Sequence, residues 1–138
     1  MPTDMSYQIV FDLSQKQNAA VNEVWKFYSG VALALLAATV GSDKLKATWA
    51  GVWALIGGFW LFSLGNLSVI SAAHDLAIRL GDLANSVAPR LNNGQAIQIR
   101  SVPVWEVVSF HLLCDVALTG GILIIAFKSR AGAAASGT

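Results

Sequence analysis

Apolar residues are concentrated in three long runs, separated by shorter polar segments. The runs cover residues 25–42, 47–71 and 105–127. A helix that crosses a bilayer needs about 20 predominantly apolar residues. The first run is shorter than this and reaches the full length only if Lys26 snorkels and both Trp25 and Tyr28 lie in the headgroup layer. The pattern predicts three transmembrane helices over these residues.

Two of the predicted helices continue beyond the bilayer on the same side. Ser14 and Gln17 have the spacing of a capping box, so the first helix is expected to begin just after Ser14. The second is expected to stop at Pro89. Past its span it carries an apolar row at helical spacing, made of Leu76, Leu80, Leu83 and Val87. Asp75 and Arg79 have the spacing of a helical ion pair on the opposite face.

Two short alternating stretches on that side predict a small β element. Apolar and polar residues alternate over 7–13 and again over 97–100, after the turn signal at 92–94. Pairing them gives a two-stranded ribbon over the helix extensions. The small residues of 131–138 predict a flexible tail. The expected fold is therefore one all-α membrane domain over 1–138, with this ribbon added.

Composition agrees with a membrane protein and excludes several other classes. Of the 138 residues, 55% are hydrophobic and 12% are charged, whereas about 25% are charged in a typical soluble domain. A net charge of +1 gives no basis for nucleic-acid binding, and one cysteine cannot form an internal disulfide. The chain contains no nucleotide-binding, nucleophile or metal-ligand motif. We therefore expect no enzymatic activity and no cofactor or metal.

The orientation in the membrane is only weakly encoded. With three spans, the N-terminal segment and the residues between the second and third spans lie on one side. That side carries five Lys and Arg against four on the other, so the positive-inside rule hardly discriminates. The first run begins too far into the chain for an ordinary signal peptide. We expect a bacterial inner membrane with a cytoplasmic N-terminus.

Asp115 is the most informative residue because it lies near the middle of the third predicted span. It is ten residues from Trp105, or about 15 Å along a helix. A central aspartate costs about 2.5 to 3.5 kcal/mol to insert, so it must be protonated, hydrated or partnered. The residues expected to form an intramembrane polar cluster are His111, Asp115, Thr119 and Asn66, with Ser63 as a further partner. The cluster indicates either a polar clasp between helices or a proton or ion relay.

Small residues recur every fourth position on each predicted span. Such rows let helices approach closely. The predicted helix-packing residues are Gly30, Ala34 and Ala38 on the first helix, Ala50, Ala54 and Gly58 on the second, and Ala117 and Gly121 on the third. On the third helix this row lies opposite Asp115, because a step of two residues turns about 200°. Two occupied faces favour an oligomer or a larger complex.

The remaining candidate site is a haem held by two histidines, His74 and His111. His111 is expected about 9 Å inside the membrane, whereas His74 lies at the end of its span on the same side. Two axial ligands need nearly equal depth, so the spacing disfavours this site.

Together these patterns predict a non-enzymatic integral membrane protein that acts as a homo-oligomeric, accessory or scaffold subunit. Its expected partners are the lipid bilayer and either further copies of itself or another membrane protein. The alternative is an ion- or proton-conducting pore, such as a channel or a toxic membrane effector, in which Asp115 from several copies meets at an axis. A haem or quinone anchor is the third hypothesis.

Overall fold

The computed structural model describes residues 2–43, 48–88, 99 and 101–136, and its architecture is three long helices. Helix α1 covers Pro2–Gly41, α2 covers Trp49–Val87 and α3 covers Val104–Ser136. Each helix is long and apolar enough to cross a membrane, which indicates an integral membrane protein with several spans. The prediction of three apolar helices is confirmed.

The helix ends follow from local chemistry. Thr48 precedes α2, and its hydroxyl accepts the Gly51 N–H at 3.1 Å, which satisfies one of the donors left open at a helix start. Helix α2 ends at Val87, two residues before Pro89, in agreement with the predicted stop. Helix α3 begins directly after Pro103, whose carbonyl accepts the Glu106 N–H at 3.1 Å.

The predicted strand over residues 7–13 is wrong, because these residues belong to α1. The apolar positions that suggested alternation also satisfy a spacing of four: Tyr7 and Phe11 stack with ring centroids 5.9 Å apart. Ile9 and Leu13, which a half-buried strand would turn inward with them, are 55% and 47% exposed. Helix α1 therefore starts twelve residues before the predicted cap, and Ser14 lies buried inside it.

The second predicted strand lies largely outside the described residues. Ile99 is described and carries no strand assignment. Its backbone instead pairs with one side chain of α2: Asn85 Oδ1 accepts the Ile99 N–H at 2.8 Å, and Asn85 Nδ2 donates to the Ile99 carbonyl at 3.1 Å. Within the described part of the chain there is no β-strand, so the two-stranded ribbon is not supported.

The chain divides into two compact units, and each helix contributes a segment to both. Unit 1 comprises residues 1–25 and 68–108. Along α2 of this unit the buried side is made of Ala77, Gly81 and Ala84, not of the predicted leucine row, since Leu76 and Leu83 are exposed. The helix is rotated so that small residues pack inward. The predicted Asp75–Arg79 ion pair is present at 2.8 Å.

Unit 2 comprises residues 26–67 and 109–138. Its core combines apolar side chains with a set of buried polar ones. The buried apolar residues are Tyr28, Val52, Ile56, Phe59, Leu118, Ile122 and Ala126. Of the predicted flexible tail over 131–138, residues 131–136 continue α3, which agrees with the high helix propensity of alanine, and 137–138 lie outside the described residues.

Candidate functional site

The candidate site is a cluster of four polar side chains inside unit 2, one from α1, one from α2 and two from α3. These are Tyr28, Ser63, His111 and Asp115, hereafter the polar cluster. His111 and Asp115 are four residues apart, so α3 places both on one face. Both are fully buried, at 0% exposure. The sequence rule that a membrane carboxyl needs partners is met here by helices of the same chain.

Asp115 is the centre of the polar cluster. The Tyr28 hydroxyl donates to Asp115 Oδ1 at 2.7 Å, and the Ser63 hydroxyl donates to Oδ2 at 2.6 Å. Bonds of this length are typical of hydroxyl donors to a carboxylate. Each carboxyl oxygen thus has a donor from a different helix, which fixes the orientation of the side chain.

His111 joins the polar cluster through Ser63 rather than by contacting Asp115 directly. Its Nε2 lies 2.9 Å from Ser63 Oγ but 3.9 Å from Asp115 Oδ2, which is too long for a hydrogen bond. A serine hydroxyl carries one hydrogen. Because that hydrogen goes to Asp115, the bond between His111 and Ser63 needs a hydrogen on Nε2.

Aromatic rings surround the polar cluster. The Tyr28 ring lies 4.3 Å from the His111 ring and 6.4 Å from Phe62, measured between centroids. Phe59 lies 6.3 Å from Tyr28 on another side. Hydrogen bonds in such an apolar setting are stronger than in water, and an unmade bond there is correspondingly more unfavourable.

The two other residues predicted for this cluster are on the same helices of unit 2. Thr119 accepts a hydrogen bond from Trp60 Nε1 at 3.1 Å, which links α2 to α3. Asn66 is buried, and its Nδ2 has no hydrogen-bond partner among the described residues.

Tyr28 is the member that the sequence analysis did not assign to the polar cluster. It was predicted in the headgroup layer, yet its hydroxyl reaches Asp115 and it is 4% exposed. The signal was available, because a tyrosine in an apolar run can supply the donor that a buried carboxyl needs.

The three helices agree on the depth of the polar cluster. Tyr28, Ser63 and Asp115 lie thirteen or fourteen residues from Gly41, Trp49 and Lys128, respectively, which corresponds to about 20 Å along each helix. On α2 and α3 this places the cluster well inside the apolar run, whereas Tyr28 lies three residues from the start of the run on α1.

The small-residue rows of α1 and α2 face outward. The exposed members are Gly30, Ala34, Ala38, Ala50, Ala54 and Gly58, hereafter the outward rows. A Cβ built at Gly30, Gly57, Gly58 or Gly65 meets nothing within 4 Å. Packing within the described chain therefore does not require glycine at these positions.

The row on α3 behaves differently, because Ala117 and Gly121 line a groove between α1 and α3 within unit 2. The groove has a volume of about 520 Å³. Its other lining residues include Tyr28, Ala32, Leu33, Leu36 and Cys114. A Cβ at Gly121 would lie 3.8 Å from Leu36 Cδ2, an ordinary van der Waals distance, so this position faces α1 of the same unit.

The two histidines have separate structural roles in their own units. His74 Nε2 lies 2.7 Å from the Val102 carbonyl oxygen in unit 1, while His111 Nε2 bonds Ser63 in unit 2. Among the described residues, no group of three or more His, Cys, Asp or Glu is placed to hold a metal ion.

Comparison of the chain with known protein families, curated proteins and solved structures finds no match.

Proposed function

We propose that this protein is a non-enzymatic integral membrane subunit that assembles side by side, through the outward rows, with further copies of itself or with another membrane protein. The observation that carries the proposal is the set of glycines on exposed helix faces. Glycine inside a helix is less favourable than alanine by about 1 kcal/mol. Gly30 and Gly58 of the outward rows have open space where a Cβ would lie, as do Gly57 and Gly65 on α2, so a close-packed neighbour supplies a reason for glycine there.

The outward rows have the spacing that membrane helices use for close contact. In a bilayer, helices associate through van der Waals packing and hydrogen bonds, since lipid tails are as apolar as the side chains themselves. Residues at every fourth position form one stripe, and Gly57 lies about 20° from Ala50 around α2. This widens the stripe on α2 and favours a partner helix there.

The position of Asp115 favours assembly over the pore hypothesis. A ring of carboxylates at a pore axis needs side chains that face away from their own chain. Asp115 instead has 0% exposure and accepts two hydrogen bonds from its own chain. For the haem or quinone anchor, no geometric observation adds support. The bacterial inner membrane and the cytoplasmic N-terminus stay part of the proposal on the sequence argument given above.

The assembly proposal is tested by adding bulk to an outward row. Ala54→Leu and Ala34→Leu each place a large side chain where a small one is exposed, so folding of the single chain should persist while helix approach is blocked. We expect a lower oligomeric mass in light scattering after size exclusion in detergent, with unchanged helical circular dichroism.

The matched control adds similar bulk away from the outward rows. Val116 on α3 is 59% exposed, and Val116→Phe should leave the mass of the assembly unchanged. An unaltered mass after both row substitutions, or a monomeric unsubstituted protein, contradicts the proposal. Co-purification of a second protein that is lost in Ala54→Leu distinguishes a heteromeric complex from a homo-oligomer.

A further inference from the structure

The hydroxyl of Ser63 stands between two groups that can each give or take a proton. It lies 2.9 Å from His111 Nε2 and 2.6 Å from Asp115 Oδ2. With one hydrogen on the hydroxyl, one of these bonds is donated and the other accepted. Reversing both bonds leaves every distance satisfied, which makes two arrangements of the same atoms equivalent in geometry.

We propose that the polar cluster is a proton-transfer site in which Ser63 passes a proton between His111 and Asp115. In the forward step the Nε2–H bond of protonated His111 breaks and a new O–H bond forms on Ser63. The original Ser63 O–H bond breaks in the same step, and its proton goes to Asp115 Oδ2. The products are neutral histidine and neutral aspartic acid, so charge and protons balance without any further reactant.

The transfer depends on Ser63 because the two end groups are too far apart to exchange directly. The separation of 3.9 Å between His111 Nε2 and Asp115 Oδ2 exceeds hydrogen-bond range. Both end groups are fully buried among aromatic rings. A relay of two bonds through one hydroxyl is the shortest connection that the geometry offers.

Tyr28 contacts Asp115 but takes no part in the transfer. It donates to Asp115 Oδ1 at 2.7 Å, and it can do so in both arrangements because transfer involves only Oδ2. The other titratable groups around the site are few. Cys114 precedes Asp115 on α3 and lines the groove, Lys26 on α1 is exposed, and α2 carries no titratable side chain over residues 49–67.

This inference does not rest on the assembly proposal, since all four members of the polar cluster lie in unit 2 of a single chain. A protein that proves monomeric would overturn the assembly proposal and leave the proton-transfer site untouched. Failure of the proton-transfer site would likewise leave the assembly proposal untouched.

The experiment is nitrogen-15 NMR of histidine in the full chain reconstituted in nanodiscs. The chain has two histidines, so a His74→Gln background leaves His111 as the single imidazole. We expect exchange broadening at Nε2 at one or more points of a pH series, with the exchange slowed in heavy water. Ser63→Ala should abolish the broadening, and Ser63→Thr should restore it by returning a hydroxyl.

Two further variants separate proton transfer from a purely structural cluster. Asp115→Asn imitates the neutral acid. With its amide oxygen held by Tyr28, its Nδ2 donates to Ser63, which then donates to His111, so Nε2 should become a fixed unprotonated acceptor. Tyr28→Phe should keep the exchange. Unchanged broadening in folded Ser63→Ala, or its absence at every pH in the His74→Gln protein, overturns the proposal. So does an Nε2 that stays protonated in Asp115→Asn.

Discussion

Truncation of Asp115 gives a graded test of what holds unit 2 together. Two hydrogen bonds from other helices end on its carboxyl group. Measured interhelical hydrogen bonds in membranes contribute about 0.6 to 1.7 kcal/mol each. Asp115→Ala removes both acceptors, so the free energy of unfolding should fall by about 1 to 3 kcal/mol.

Two milder variants, Asp115→Asn and Tyr28→Phe, should lower the free energy of unfolding by less than Asp115→Ala does. Asp115→Asn keeps two polar atoms in the same positions, and the loss should stay below about 1 kcal/mol. Tyr28→Phe removes one donor, which predicts a loss of about half that of Asp115→Ala, on the same scale of hydrogen-bond energies. The expected order of destabilisation is therefore asparagine, then Tyr28→Phe, then alanine.

Reversible unfolding in mixed micelles, titrated with denaturing detergent and followed by tryptophan fluorescence, measures these differences. Trp60 on α2 is a suitable reporter, because its Nε1 bonds Thr119 on α3. A stability of Asp115→Ala equal to that of the unsubstituted protein would refute the reasoning. If Asp115→Asn were as damaging as Asp115→Ala, the stabilisation would come from the negative charge and not from hydrogen-bond geometry.

Two further predictions concern unit 1. Ser14 is fully buried, and its hydroxyl has no hydrogen-bond partner among the described residues. Ser14→Ala should therefore raise the free energy of unfolding by about 1 kcal/mol, measured in the same detergent titration. A loss of stability would contradict this reasoning and reveal a partner for the hydroxyl. Asn85→Ala removes both hydrogen bonds to the Ile99 backbone, so amide hydrogen exchange at Ile99 should accelerate at least about tenfold, as about 1.4 kcal/mol implies. Ser86→Ala, on the exposed side of the same turn, is its control, and equal exchange in the two variants would contradict this role for Asn85.

How far the fold could be read from the sequence depends on which physical signal dominates each segment. Long, predominantly apolar runs determine the three helices, since a bilayer-length apolar run has few other folded solutions. The start of α1 was missed because Tyr7 and Phe11 satisfy both a two-residue and a four-residue period. The buried side of α2 in unit 1 was missed because Ala77 and Ala84 permit closer packing than the leucines beside them.

The sequence predicted Asp115 as the centre of the polar cluster better than it predicted the partners of Asp115. A carboxyl deep in an apolar run must find donors, which selected Asp115, and helical spacing added His111. Ser63 was expected among the partners from its place in the second run. Tyr28 carries the donor that such a carboxyl needs, but the sequence did not show that it reaches Asp115, since the register between helices is set by packing and not by local sequence. The same limitation explains why the hydrogen bond from Trp60 to Thr119 was not predicted.

The shared depth of the polar cluster has a consequence for how the protein enters a bilayer. Released alone into lipid, α3 would carry an unpartnered carboxyl near its middle, at about 2.5 to 3.5 kcal/mol on insertion scales. Its donors belong to α1 and α2, which precede it in the chain. Helix α3 is therefore stabilised in the bilayer once α1 and α2 are in place. A shift of α3 by one helical turn, about 5.4 Å, would break both hydrogen bonds to Asp115. Membrane insertion is in this way ordered along the chain, because α1 and α2 supply the hydrogen-bond donors that α3 needs.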